Sequence, residues 1–275
     1  MHPVFFYIWR FPVHAYGFML ALSFLLGIWL AAYRARRGNL DPDAIIDVGF
    51  YVIIAAIIGA RLYYVLLHFE SFRDDLLSIV NPFQDKSIGI GGLVMYGGLI
   101  GAIIAGVLFF RIKKYPFLPY ADASAPSIGL GIFLTRIGCF LNGCCYGAHS
   151  EGPLSVSFPL ASPAGRFQQH AHAASLHPSQ LYESAGGLLI ALIVLLAGRR
   201  KLFDGFAFYL TGLLYSVLRF CVDFTRHYEP GEHLGPLSHN QVVCIVLFVV
   251  FGGLILRQVM FREERAGAGG STPMV

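Results

Sequence analysis

The sequence predicts an all-α integral membrane protein with seven transmembrane helices. Of its 275 residues, 56% are hydrophobic and only 13% are charged, a balance far from that of soluble domains. Seven apolar stretches are each close to the ~20 residues that a helix needs to cross the hydrocarbon core. These stretches lie at about residues 15–34, 44–67, 93–110, 121–142, 179–197, 203–223 and 238–258.

Basic residues predict the orientation of these spans. Short cytoplasmic loops carry an excess of Lys and Arg, and a basic cluster follows the first, third, fifth and seventh spans. We therefore expect an extracytoplasmic amino terminus and a cytoplasmic carboxyl terminus. This asymmetry accounts for the formal net charge of +4, so no nucleic-acid partner is predicted. The clusters are Arg34, Arg36 and Arg37; Arg111, Lys113 and Lys114; Arg199, Arg200 and Lys201; and Arg257, Arg262 and Arg265.

A single membrane domain is predicted for residues 1–262. The stretch 148–176, between the fourth and fifth spans, is too polar to lie in lipid and is interpreted as a small extracytoplasmic cap. The polar, glycine-rich tail 263–275 is predicted to be disordered. The histidines at 170, 172 and 177 match no strong zinc spacing. Neither a metal site nor a cofactor is therefore predicted.

Three arginines lie inside the predicted spans, near the extracytoplasmic ends: Arg61, Arg136 and Arg219. A central arginine costs about 2.5–3.5 kcal/mol on insertion scales and normally faces a cavity with an anionic partner. Arginines near helix ends also snorkel to the interface with no chemical role. Asp223 lies four residues after Arg219 on the same helical face, so we expect an ion pair between the two.

The spans that run in the opposite direction place polar residues at a similar depth. Tyr16 and Tyr96 lie in the first turns of two of them, and Ser179, Gln180 and Glu183 in those of a third. Tyrosines also form interfacial belts that have no catalytic role, but six of the seven helices here offer polar groups to one layer. The pattern predicts a polar cavity in the outer half of the membrane, where a lipid headgroup or an exported substrate would lie.

Six ordered motifs in this sequence resemble those of the prolipoprotein diacylglyceryl transferases of bacterial inner membranes. Together they extend over most of the chain, so a chance similarity is improbable. The motifs are HAYGFML (14–20), GARLYYV (59–65), MYGGLIG (95–101), TRIGCFLNGCCYG (135–147), HPSQLYES (177–184) and RFCVDFTR (219–226).

This resemblance implies a transfer reaction at a bacterial inner membrane. The diacylglyceryl group of phosphatidylglycerol would pass to the lipobox cysteine thiol in the signal peptide of a prolipoprotein, with release of glycerol phosphate. Arginine suits such a site because its planar fork binds phosphate bidentately and keeps its charge. Arg136 and Arg219 are the expected essential cations. The expected substrate-binding residues are Arg136, Tyr16, Arg61, Asn142, Gly147, His177, Gln180, Glu183 and Asp223, and a monomer is expected.

Three positions depart from the family pattern. Tyr96 stands where members of the family have a histidine that has been considered a base for the thiol, and Cys139 and Cys144 replace an asparagine and an acidic residue. A phenol is a poor base near neutral pH. Either the arginines stabilise the thiolate, with Tyr96 at the catalytic position, or the chain is a divergent paralogue with another acceptor. A non-catalytic lipid-binding protein stays open as a further alternative.

The cysteines and the intramembrane arginines admit other interpretations. Cys139, Cys144 and Cys145 fit tight packing at a helix end, and a redox or thiol-relay role is an alternative; their spacing matches no strong metal pattern. A transporter would also surround a polar cavity with arginines. The sequence has no obvious internal repeat and no polar residues at the midplane of the spans, which argues against a transporter.

Overall fold

The computed structural model describes residues 4–9, 11–73, 94–200, 202–228, 231 and 233–268. Within these residues, seven helices are long and apolar enough to cross a membrane, which confirms the predicted number of spans. The basic residue Lys201 and the tail residues 269–275 lie outside the described residues. The seven helices are α1 (Ala15–Arg37), α2 (Pro42–Leu67), α4 (Met95–Lys113), α5 (Phe117–Asn142), α7 (Ser179–Ala197), α8 (Phe206–Asp223) and α9 (His239–Ala268).

Shorter elements connect these helices. Strands β1 (Val4–Ile8) and β2 (Phe11–His14) form an antiparallel hairpin that leads into α1. Strands β3 (His233–Leu234) and β4 (Leu237–Ser238) form a second hairpin before α9. Two short helices complete the described elements, α3 (Phe69–Phe72) and α6 (Pro163–His170).

The ends of the helices follow local capping chemistry. Helix α2 begins after Asp41, whose carboxylate accepts a hydrogen bond of 3.0 Å from the amide of Asp43, as N-cap residues do. Helix α8 begins three residues later than the apolar run at 203, after Gly205 with a φ of 96°. Helix α9 continues to Ala268, so it includes the first six residues of the predicted tail.

The carboxylate of Asp122 in α5 explains the start of α8. It accepts hydrogen bonds from the amides of Gly205 (2.7 Å) and Phe208 (3.0 Å). These amides belong to the first turn of α8, where the helix itself supplies no acceptor. A residue of another helix therefore caps α8, and hydropathy could not predict this boundary.

The described helices form two compact units. The single membrane domain over residues 1–262 stays a prediction. The first unit comprises the described residues of Met1–Gly38 and Leu118–Val275, and the second those of Asn39–Phe117. In the second unit α2 and α4 cross closely at Gly97. A Cβ atom there would meet the carbonyl oxygen of Gly59 and the side chain of Tyr63. Small residues of this kind allow helix backbones to approach in membranes.

In the first unit α5 and α7 also cross through glycine. A Cβ atom at Gly129 would lie 2.7 Å from the carbonyl oxygen of Gly187 and 2.7 Å from the amide nitrogen of Ala191. No other residue fits there without separating the helices. The close crossing brings the first turns of α7 against the last turns of α5, as the hydrogen bond of 2.9 Å from Ser184 to the carbonyl of Phe133 shows.

The insertion between α5 and α7 has a small core of its own. Phe158, Ala164 and Leu176 are buried together, and Phe140 of α5 packs against them. The buried side chain of Gln168 crosslinks the insertion, since it accepts from the amide of Phe158 (2.7 Å) and donates to the carbonyl of Ala174 (3.0 Å). The predicted cap is thus an ordered, compact insertion.

Candidate functional site

A buried carboxylate joins two arginines in the first unit. Glu183, in the first turns of α7, is fully buried, and Nη2 of Arg136 in α5 lies 2.8 Å from its Oε1 atom. Its other oxygen, Oε2, lies 3.4 Å from Nη2 of Arg226, which follows the end of α8. Two cations therefore share one anion, and neither guanidinium is neutralised by a carboxylate of its own.

A second ion pair lies at the end of α8. Nη1 of Arg219 lies 3.0 Å from the carboxylate of Asp223, as the spacing of four residues predicted. The hydroxyls of Tyr228 and Ser238 both donate hydrogen bonds to this carboxylate. Asn240 donates to the Tyr228 hydroxyl at 2.9 Å. Burial and the bond to Asp223 raise the pKa of Tyr228 above its ordinary value, so this phenol stays a donor at neutral pH.

Ser238 also begins helix α9. Its hydroxyl accepts from the amide of Gln241 at 3.1 Å, and its own amide donates to Oε1 of Gln241 at 2.9 Å. This reciprocal arrangement is a capping box. It couples the first turn of α9 to Asp223, so the orientation of Arg219 depends on two helices.

The two ion pairs belong to one polar network. Glu183 acts electrostatically on Arg219 as well as on Arg136, and the hydroxyl of Tyr215 lies within electrostatic reach of all three groups. Three guanidinium groups face two carboxylates, which leaves one excess positive charge. The buried Nε of Arg226, a hydrogen-bond donor, has no partner among the described residues. The network can thus bind an anion such as a phosphate.

Gly147 lies where the chain from α5 meets the start of α7. A Cβ atom there would lie 2.6 Å from the Cβ of His177 and would also meet the hydroxyl of Ser179 and the carbonyl of Thr225. The amide of Gly147 donates to the carbonyl of His177 at 3.0 Å. Nδ1 of His177 lies 3.3 Å from the hydroxyl of Tyr182 in a hydrogen bond. Glycine at 147 is therefore required for the close approach of this chain segment to His177, Ser179 and Thr225. Gly147 also pairs with Arg226 of the arginine network through an isolated β-bridge.

The remaining predicted residues of the first unit lie around the network. Gln180 is fully buried and donates a hydrogen bond of 2.8 Å to the carbonyl of Cys144. Asn142 is the last residue of α5, and its side chain lies near the Cys144 thiol. Tyr16 in α1 is 38% exposed and lies within electrostatic reach of Arg136. Of these three residues, Tyr16 is the one whose interaction with Arg136 the structure records.

Two predicted site residues belong to the second unit. The guanidinium of Arg61 lies over the rings of Tyr64 (5.7 Å) and Phe72 (5.3 Å), as cation–π contacts do. Tyr96 lies in the first turn of α4 and is 61% exposed. The part of Arg61 and Tyr96 in the site stays a prediction.

Sequence reasoning missed four members of the network. Arg226, Tyr215, Tyr228 and Ser238 were assigned no functional role, although each interacts with a predicted site residue. Arg226 lies outside the apolar stretches, where a basic residue is ordinary. Only its spacing of seven residues from Arg219, two helical turns, could have indicated a shared face.

Cys145, in the turn after α5, lies within electrostatic reach of two arginines of the network. Hydrogen bonds with the thiols of Cys139 and Cys144, together with the nearby guanidinium groups of Arg136 and Arg226, hold the pKa of the Cys145 thiol below its ordinary value. Burial acts in the opposite direction. The anionic form of this thiol is thus favoured next to the cationic network.

Comparison with known proteins connects this geometry to a family. The family model described as prolipoprotein diacylglyceryl transferase matches residues 3–257. Three similar proteins are named phosphatidylglycerol–prolipoprotein diacylglyceryl transferase. A Clostridium tetani protein is 32% identical over 96% of this chain and all of its own length. The Geobacter sulfurreducens protein is 34% identical over 95% of this chain and 96% of its own length. The Bacillus cytotoxicus protein is 33% identical over 87% of this chain and 86% of its own length.

Proposed function

The chain belongs to the prolipoprotein diacylglyceryl transferase family, and from this premise we propose that its arginine network binds the phosphate of phosphatidylglycerol during transfer of the diacylglyceryl group to a prolipoprotein. The chain is a multi-pass membrane protein with seven candidate spans. A bacterial inner membrane, with the amino terminus outside, is the location that fits this activity and the distribution of basic residues.

The observation that carries this proposal is the shared carboxylate of Glu183. Because Glu183 binds both Arg136 and Arg226, each guanidinium keeps donors that can turn to a phosphate. The excess positive charge of the network would attract an anionic headgroup. Arg136 keeps 21% of its side chain exposed, which gives a ligand access to its planar fork.

The proposed reaction is a substitution at a glycerol carbon. The lipobox sulfur forms a bond to the C3 carbon of the diacylglyceryl group as the bond from that carbon to the phosphate oxygen breaks, and glycerol phosphate leaves with the electron pair. The thiol proton passes to the solvent before or during the attack, so thioether, glycerol phosphate and one proton are formed. Preorganised cations at the departing phosphate contribute about 2.7–4 kcal/mol for each donor. Arg136 and Arg219 are the proposed catalytic cations.

Other residues take supporting roles in this proposal. Tyr16, Asn142 and Gln180 would contact the headgroup, and Gly147 with His177 would shape the wall beside it. Asp223 would hold Arg219 in place through the observed ion pair. The resemblance also assigns Arg61 and Tyr96 of the second unit to the reaction. The protein is proposed to act as a monomer.

The decisive experiment incubates the purified protein with phosphatidylglycerol and a synthetic lipobox peptide. We expect a thioether-linked diacylglyceryl peptide, detected by its mass, together with released glycerol phosphate. A peptide with serine in place of the lipobox cysteine, and phosphatidylethanolamine in place of phosphatidylglycerol, serve as controls. The absence of product under conditions that support a relative's activity would overturn the proposal.

A second candidate function is non-catalytic lipid binding. Tyr96 occupies the position of the family's histidine, and this substitution favours the alternative because it removes a base of suitable pKa. The same incubation separates the two functions, because a lipid-binding protein would retain phosphatidylglycerol without forming product. Product with an acceptor other than a lipobox peptide would instead indicate a divergent paralogue.

A further inference from the structure

Three cysteines meet beside the end of helix α5. The Sγ atoms of Cys139, Cys144 and Cys145 all lie within 4.8 Å of one another. Cys139 is buried, Cys144 is half-buried and Cys145 is exposed. Among the described residues, this is the one group of at least three His, Cys, Asp or Glu side chains whose ligand atoms lie close enough together to hold one metal ion.

The backbone of the turn after α5 explains why these thiols converge. Gly143 has a φ of 72° and Cys145 a φ of 58°, and such left-handed residues reverse the direction of the chain. Without them, adjacent side chains such as those of Cys144 and Cys145 would point to opposite sides, as they do in an extended chain. A non-glycine residue in this region is uncommon and persists only where surrounding contacts hold it.

Those contacts are present on both sides of the turn. The amide of Cys144 donates to the carbonyl of Cys139 at 3.1 Å, and Gln180 of α7 donates to the carbonyl of Cys144 at 2.8 Å. The amide of Ala164 donates to the carbonyl of Gly143 at 3.0 Å. The backbone that carries the thiols is therefore anchored to α5, α6 and α7, and the cluster is preorganised.

We propose that Cys139, Cys144 and Cys145 form a trithiolate site for a thiophilic d¹⁰ cation, Zn²⁺ or Cu⁺. Soft thiolate ligands select these two ions over Mg²⁺, Ca²⁺ or Mn²⁺. Tetrahedral coordination with Zn–S bonds of about 2.3 Å places sulfurs roughly 3.8 Å apart, so the thiols need to move by about 1 Å or less. Binding releases the thiol protons to the solvent.

The surrounding charges favour such a complex. Three thiolates carry three negative charges, so a bound Zn²⁺ leaves a net charge of −1 and a bound Cu⁺ one of −2. Arg136 and Arg226 act electrostatically on Cys145 and would compensate this remaining negative charge. The exposed Cys145 offers an entry path, while the buried Cys139 shields the ion from solvent on the other side. The proposal is independent of the transfer reaction.

The test measures cation binding to untagged, fully reduced protein from which metal has been removed. Zn²⁺ is titrated against a chromophoric chelator, and Cu⁺ against bathocuproine disulfonate, in separate arms. We expect one equivalent of at least one cation. Loss of a residue that only hydrogen-bonds to a metal ligand weakens metal binding by about 10–100-fold. Cys145→Ser removes a ligand itself, so it should weaken binding by about a hundredfold or more. The other two cysteines, Cys221 in α8 and Cys244 in α9, do not belong to the cluster. A doubly substituted Cys221→Ser, Cys244→Ser protein is therefore the matched control and should bind like the parent.

A second measurement avoids any dependence on variants that fail to fold. Co²⁺ added to the unaltered reduced protein should produce intense sulfur-to-cobalt charge-transfer absorption, whose strength increases with the number of thiolate ligands. Absence of this absorption together with absence of Zn²⁺ and Cu⁺ binding would overturn the proposal. Equal binding by the parent and by a well-folded protein with serine at 139, 144 and 145 would overturn it as well.

Discussion

Both compact units contain close glycine contacts between helices, but among the described residues only the first adds a network of buried charged side chains. In the first unit, buried charged and polar side chains connect α5, α7, α8 and α9, with the fully buried Glu183 between Arg136 and Arg226. In the second unit, α2 and α4 pack through Gly59 and Gly97. The first arrangement fails when a single partner is lost, whereas the second depends only on shape.

This difference indicates where chemical function is concentrated. Buried charges in a membrane protein cost free energy and normally face a cavity or a substrate path. Glycine contacts supply helix association without polar groups. We therefore expect substitutions in the first unit to have the larger effects on activity, and those in the second unit to have small effects on activity. Four substitutions test this expectation.

The largest effect is expected for Glu183→Ala. Removing one partner of a buried ion pair costs about 3–5 kcal/mol, because the other charge stays buried without compensation. Here two arginines lose their shared anion, so thermal unfolding in detergent should occur at a clearly lower temperature and transfer should fall below detection. Glu70→Ala, at an exposed position of α3, is the control. Parent-like stability of the Glu183 variant would contradict the role of the shared carboxylate.

Arg136→Lys should leave stability nearly unchanged while abolishing most activity. Lysine keeps the charge and its attraction to Glu183 but loses the planar fork that binds phosphate bidentately. Removing one preorganised donor from a transition state costs on the order of 10²–10³ in rate. The measurement is the transfer rate per folded protein, with Arg166→Lys in the exposed part of α6 as the control. A turnover within threefold of the parent would exclude phosphate clamping by Arg136.

Gly97→Ala should destabilise the second unit without acting on the chemistry. Its Cβ atom would meet the backbone of Gly59, and overpacking of this kind costs about 1–3 kcal/mol. Gly106→Ala is the matched control on the same helix, because its nearest neighbour would be Cγ2 of Val52 at 4.0 Å. Thermal unfolding in detergent measures both. If the two variants unfold alike, the close crossing of α2 and α4 does not stabilise this unit.

The smallest effect is expected for Tyr96→Phe. Losing the phenolic hydroxyl removes at most one hydrogen bond to a substrate, worth about 0.5–1.5 kcal/mol, so transfer should slow by roughly tenfold or less. General-base catalysis would be worth about 10²–10⁴ instead. Tyr96→His should be tolerated or mildly activating, since imidazole titrates near neutrality. Rates of the three forms across a range of pH provide the test, and a thousandfold loss in the phenylalanine variant would make Tyr96 catalytic.

Hydropathy and motif spacing were sufficient for most of the architecture. The seven spans agree with the helices of the structure to within a few residues at most ends, because an apolar run of suitable length has few alternatives in a membrane. The exceptions arise from tertiary contacts. Asp122 sets the start of α8 from another helix, and a hydropathy profile has no access to such a contact.

The candidate site could be predicted only in part. Arg136, Glu183, Arg219 and Asp223 stood out because charges inside apolar spans are expensive, and the ion pair of Arg219 with Asp223 followed from helical spacing. Arg226 did not stand out, because a basic residue in a loop is ordinary. Its role depends on reaching Glu183, 43 residues away in the sequence.

The sequence by itself determined the class of protein, the number of spans and the residue types of the site, because these follow from local composition and periodicity. Only the tertiary structure decided which charges share a partner and which thiols meet. Cys139, Cys144 and Cys145 show the reason. Their spacing matched no strong metal pattern, yet two left-handed residues in one turn bring the three sulfur atoms within 4.8 Å of one another.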